Sequence, residues 1–122
     1  MRLALVAILV PDYDPAIAFF ENIGFSLEID EDQGRKRWVV VCAPNGGRLL
    51  IARAEGAPLD HVGRQFGGRV GLFLETDDFA RDHARIAAAG GTFEEAPREE
   101  AYGQVAVWRD PWGNRWDLIE PS

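Results

Sequence analysis

MRLALVAILVPDYDPAIAFF, residues 1–20, admits two incompatible readings. One arginine followed by the apolar run 3–10, with Ala16, Ile17 and Ala18 downstream, has the form of a short secretory leader ending at a small-x-small cleavage site. The same apolar run, closed by Pro11, has the form of a buried β-strand. Asp12 and Asp14, ahead of the supposed cleavage site, weigh against export.

An internal repeat decides the matter. Apolar runs at 3–10, 38–43, 49–52, 70–74 and 105–108 are short, rich in Val, Ile, Leu and Trp, and bounded by Pro, Gly, Asn or Asp, so they read as strands. Asp14-Pro15 is an N-cap followed by a favoured first helical residue, and Ala16, Phe19, Phe20 and Ile23 then recur at helical spacing until Gly24. A second helix starts near Asp77-Asp78, carries Phe79 and Ile86, and ends in the alanines before Gly90-Gly91. PNGG at 44–47 and DPWGN at 110–114 are hairpin turns. At an offset of 66, Asp12-Tyr13 falls on Asp78-Phe79 and Gly24 on Gly90; at 67, Pro44 falls on Pro111, Gly46 on Gly113 and Arg48 on Arg115. Under this repeat LALVAILVPDYD matches VGLFLETDDF in mid-chain, where a leader cannot stand. The first ten residues are therefore expected to form a strand.

Composition narrows the function classes. The chain has 122 residues and a net charge of -7, which argues against nucleic-acid and anionic-membrane partners, since both need a basic footprint. Cys42 is the single cysteine, so no intrachain disulfide forms, and a cytoplasmic, reducing location is expected. Seven Phe, four Trp and two Tyr exceed what a small core requires and point to a lined pocket or a subunit interface.

The segments VPDYDPAIAFFENIGF, ETDDFARDHARIAAAGG and, most specifically, DPWGNRWDLIEP make the chain resemble the vicinal oxygen chelate family of glyoxalase I, bleomycin-resistance proteins, fosfomycin-resistance enzymes and extradiol dioxygenases. The resemblance implies an α+β fold of two βαβββ modules forming a cupped, partly closed mixed barrel with the helices outside. Module one would span 1–54, a linker 55–68 and module two 69–122. It also implies a metal in the cup of the family's enzymes, held by His or Glu near the start of each module's first strand and on each module's last strand. The matching positions here are Leu5, Leu50, Gly71 and Asp117, of which only Asp117 carries a donor side chain. His61 falls in the linker and His83 on the second helix, opposite Ile17 in the repeat, so helix-to-sheet packing is the simpler role for His83.

If the family geometry holds, Leu5, Leu50, Gly71 and Asp117 define the concave face, and by strand alternation residues two away share it: Leu3, Ala7, Arg48, Ala52, Arg69, Phe73, Arg115 and Ile119. Trp38 and Trp108 have opposite parity, so one faces the cup and the other packs under a helix, with Trp116 in the core. The candidate ligand-binding set is Leu5, Trp38, Arg48, Leu50, Arg69, Gly71, Phe73, Arg115 and Asp117. Arginines on an apolar face suit a small organic ligand with an anionic or carbonyl group. Arg48 and Arg115 can equally meet Asp117 or solvent, and Gly71 can equally be a flat spot for a neighbouring side chain. A metal-independent binding protein of the bleomycin-resistance type, with no cofactor and forming a homodimer, is the expected function. The alternative is a lyase, isomerase or dioxygenase using Asp117 as base or as anchor for a divalent metal. The family's chemical diversity leaves the ligand open.

Overall fold

The computed structural model describes residues 1–122, in which two helices and nine strands form two mixed sheets. The chain divides into two compact units, Met1–Val62 and Gly63–Ser122.

The first unit opens with β1, Val6–Val10, so the first five residues precede the strand. Helix α1, Tyr13–Asn22, follows, with the Asp12 side chain accepting the Tyr13 N–H at 2.8 Å. It stops at Gly24, whose φ of 106° is open to glycine at no steric cost. There the N–H of Phe25 reaches back to the carbonyl of Phe20 at 2.9 Å and that of Gly24 to Glu21 at 3.0 Å, satisfying carbonyls that have no helical partner. Strands β2, Ser26–Asp32, β3, Arg37–Cys42, and β4, Arg48–Arg53, complete a sheet of order β1-β4-β3-β2 with β1 parallel to β4. A 3₁₀ turn at Ala57–His61 carries His61, which is exposed.

The second unit repeats the plan. Strand β5, Val70–Glu75, leads to helix α2, Phe79–Ala89, capped by the Asp78 side chain on the Arg81 N–H. The helix stop recurs at Gly90, φ 112°, with Gly91 bonded to Ile86 at 2.9 Å and Gly90 to Ala87 at 3.3 Å. Strands β6, Thr92–Phe93, β7, Arg98–Glu100, β8, Gly103–Arg109, and β9, Arg115–Pro121, give the order β5-β9-β8-β6, with β7 also on β8 and β5 parallel to β9. The two hairpins also match bond for bond. Ala43 N–H meets Gly47 O at 2.9 Å and Gly46 N–H meets Ala43 O at 3.2 Å; Asp110 N–H meets Asn114 O at 2.9 Å and Gly113 N–H meets Asp110 O at 3.0 Å.

Each helix covers one face of its own sheet. In unit one, Ile8, Val10, Leu49 and Ile51 are buried beneath α1 together with Ala16, Ile17 and Phe20, while Arg48, Leu50 and Ala52 alternate to the other face. In unit two, Trp108 and Trp116 stack at 5.0 Å between centroids and lie with Leu118 on the α2 side. His83 of α2 stacks on Phe93 at 3.8 Å, a helix-to-sheet contact. Burying a side chain of this size is worth about 1.5–3 kcal/mol, which is what fixes the register of each helix on its sheet. No helix is long and apolar enough to cross a membrane.

Candidate functional site

The sheet faces turned away from the helices hold the sequence candidates, and strand register decides which of them stand together. On the first sheet, Ala7, Leu50 and Val40 are neighbours across β1, β4 and β3. Trp38, two residues before Val40, shares that face and is half-buried, whereas Trp108 lies under α2; this settles which of the two tryptophans leaves the core. Leu5 is half-buried but stands just before β1, and Leu3 is 84% exposed outside any strand.

On the second sheet, Phe73, Asp117 and Val107 are cross-strand neighbours. Phe73 is 61% exposed, a large apolar cost that nothing in its own unit relieves. Gly71 is the unpaired residue of a bulge, since Val70 pairs with Arg115 and Leu72 with Trp116. A Cβ placed on Gly71 would come within 2.2–2.6 Å of Phe66 ring atoms, so the flat spot is occupied by this chain's own aromatic side chain. The bulge also breaks the alternation that assigned Arg69 to this face: it is Val70 that stands opposite Arg115, and Arg69 lies exposed before the strand begins.

Of the arginines expected to meet a ligand, two are committed to glutamates. Arg48 holds Glu28 through Nε at 2.9 Å and Nη2 at 2.8 Å. Arg115 holds Glu94 through the same two nitrogens at 2.8 and 2.9 Å, and its Nη1 reaches the Gly68 carbonyl at 3.1 Å. These clamps are one feature written twice, because an offset of 66 carries Glu28 to Glu94 and 67 carries Arg48 to Arg115. Each fork spans the middle strand of its sheet and ties the start of the last strand to the strand beyond. Arg109, the counterpart of Cys42, adds a second contact to Glu94 at 3.0 Å. Glu94 is held below the usual carboxylate range, chiefly by the Arg115 hydrogen bonds and against a smaller penalty of burial.

Between β6 and β7 the Glu95 carboxylate accepts the Val107 N–H at 2.9 Å, doing the work of a missing strand partner, and Arg98 fastens it at 2.7 Å. Asp117 lies close to this group but joins no ion pair in it: Arg98 goes to Glu95 and Glu100, and Arg115 to Glu94. Asp117 Oδ1 is buried and has no hydrogen-bond partner. Burial pushes its carboxyl above the ordinary value; Arg98 opposes this, Glu95 adds to it and Arg115 opposes it weakly. Arg115, which the sequence left able to meet Asp117, bonds to Glu94 instead.

The four positions matched to the family's metal ligands carry Leu5, Leu50, Gly71 and Asp117, so one side chain alone offers a donor. Nowhere in the chain do three His, Cys, Asp or Glu side chains gather in a group that could hold a metal ion. A lone carboxylate does not fit the donor set that a divalent cation requires.

The DPWGN turn is the feature the sequence marked most strongly, and its role is internal. Asp110 is 4% exposed, and its carboxylate accepts from the N–H groups of Trp112 (3.0 Å) and Asn114 (2.9 Å), from Asn114 Nδ2 (2.9 Å) and from Trp116 Nε1 (3.0 Å). Gly63 packs so closely on this turn that a Cβ there would lie 1.9 Å from the Trp112 carbonyl oxygen.

A family model described as the Glyoxalase/Bleomycin resistance protein/Dioxygenase superfamily matches residues 2–118, and the chain belongs to that superfamily. A protein of Shewanella frigidimarina is 49% identical, the match covering 94% of this chain and 90% of the other. The crystal structure of UcmS2 is similar at a TM-score of 0.81 and 27% identity, over 98% of both chains. That of TnmS3, an antibiotic binding protein from Streptomyces sp. CB03234, is similar at 0.71 and 26% identity, over 100% of this chain and 97% of that one.

Proposed function

We propose that the protein binds a small organic molecule without a metal, on the helix-free sheet face of the second unit that carries Phe73, Val107 and Asp117. The observation that carries this reading is Phe73, 61% exposed on the edge strand β5 beside the half-buried carboxylate of Asp117 on β9. Apolar area held open to water at about 25 cal/mol per Å² is released when an apolar ligand covers it. The likeness to an antibiotic binding protein supports a binding role, and the missing donor side chains at Leu5, Leu50 and Gly71 support metal independence.

Binding here would be enclosure rather than chemistry: apolar contact supplies affinity, and a few polar groups fix orientation. Metal analysis of protein purified without chelators and then dialysed tests the second half of the proposal. Less than a tenth of an equivalent of Zn, Ni, Mn or Fe is expected, and a stoichiometric amount would overturn it. A second reading, turnover with Asp117 as general base, is favoured by the upward shift of that carboxyl. Asp117→Asn would then abolish turnover of any substrate found, whereas a binding protein has no rate to lose.

A further inference from the structure

We infer that Asp117 is the polar anchor of the binding face and that it selects ligands presenting a hydrogen-bond donor, an amine, hydroxyl or amide N–H on an apolar body, over anionic ligands. This rests on the small-molecule reading above and reverses the ligand polarity that the arginines suggest when only the sequence is considered.

The argument is one of supply and demand for hydrogen bonds. An anionic ligand needs donors, and the arginines near Asp117 are already paired with glutamates. Arg115 forks onto Glu94 and reaches the Gly68 carbonyl, and Arg98 pairs with Glu95 and Glu100. An incoming carboxylate would have to displace a bidentate partner already in place and leave a glutamate beside it, a like charge at short range. Asp117 is in the opposite condition. Its Oδ1 is covered by protein with no partner, so the group lacks the bonds that water or an arginine would give it, while the residue as a whole remains half-buried and reachable. A donor arriving at its accessible side meets a carboxylate that no arginine has paired. Phe73 and Val107, directly across the strands on either side, supply the apolar contact next to it.

A carboxyl left short of hydrogen bonds destabilises the folded chain, and a group kept at such a cost is characteristic of a binding role. A purely structural Asp117 would behave the other way, its removal lowering stability. The two possibilities therefore differ in a measurement that needs no ligand.

The probes are matched triads in which naphthalene, indole or benzene bears an aminomethyl, a hydroxymethyl or a carboxylate group. Binding to the full chain is followed by calorimetry, and thermal unfolding of wild type and Asp117→Asn is measured in parallel. We expect the aminomethyl and hydroxymethyl members to bind at least about tenfold more tightly than the carboxylate of the same skeleton, a difference of about 1.4 kcal/mol. In Asp117→Asn, with Asp117→Leu as a second variant, that preference should fall to within threefold while Tm is unchanged or raised. Carboxylates binding as tightly as amines to the wild type, a preference surviving in both variants, or a clear loss of Tm in both would each overturn the anchor while leaving the binding face standing. Failure of every member of every triad to bind would overturn the binding face itself.

Discussion

Replacing Asp110 by alanine withdraws the acceptor from four donors at once. Three of them, Asn114 N–H, Asn114 Nδ2 and Trp116 Nε1, are buried, and the Trp112 N–H is partly so. A buried donor that loses its partner costs about 1–3 kcal/mol, and relief of the desolvated carboxyl, which burial pushes above its ordinary value against those same four bonds, returns some of this. A net loss of about 3–5 kcal/mol follows, a large share of the roughly 5–15 kcal/mol that holds a typical domain together. Asp110→Asn should lose less, about 2–3 kcal/mol, because its remaining oxygen still accepts from the turn while its new NH2 faces Asn114 Nδ2 and Trp116 Nε1, both donors.

The first unit supplies the control, because Ala43 and Gly47 stand where Asp110 and Asn114 do and close the same turn. Asp110→Ala combined with Asn114→Gly should therefore be less destabilised than the sum of the single variants, since the second change removes a donor that the first strands. Urea unfolding followed by tryptophan fluorescence reads each difference as a shift in midpoint at constant slope. A loss below about 1 kcal/mol for Asp110→Ala, or strict additivity in the pair, would refute the reasoning that the carboxylate serves buried donors rather than the shape of the turn.

The duplicated clamps should respond unequally. Glu94→Gln is expected to lower Tm more than Glu28→Gln, because Glu94 gathers both Arg115 and Arg109 while Glu28 holds Arg48 alone; equal shifts would contradict this. Glu94 has a depressed pKa in the folded chain, so its stabilisation is present above the ordinary carboxylate range and is lost as pH falls through the lowered value. A Tm series across that acid range should fall less steeply in Glu94→Gln than in wild type. Gly71→Ala should cost about 1–3 kcal/mol in urea, the price of driving a methyl into the Phe66 ring, and Phe66→Ala in the same chain should recover part of it.

The helices, their stops and both hairpins were legible because each depends on chemistry local to a few residues: Gly24 and Gly90 at positive φ, turn residues in each loop and Asp78 as a cap; the first cap is Asp12 and not the expected Asp14, which lies in the first turn of the helix. Strand β2 was not found as an apolar run, because SLEIDED lies at the sheet edge with six of its seven residues exposed, and an edge strand can form from polar residues. β6 and β7 escaped for a related reason, being short pieces joined by a segment in which a glutamate side chain replaces a backbone partner. The repeat and the family resemblance picked out Asp117, and alternation placed Phe73 on its face but failed at Arg69, where the bulge at Gly71 shifts the phase. The fate of the arginines was beyond alternation. It depends on Glu28 and Glu94, about twenty residues away in sequence and a strand apart in space, and only the repeat itself, applied to the glutamates as well as the arginines, carried the signal.

A doubled clamp also makes the chain its own reference sample. The same fork, on the same atoms, is present in two settings that differ in a few neighbours, among them Cys42 in one and Arg109 in the other. Buffer, temperature and concentration are shared by construction, so exchanging Cys42 and Arg109 between the two settings would report what a single neighbouring charge does to an arginine fork, free of the differences that separate one protein from another.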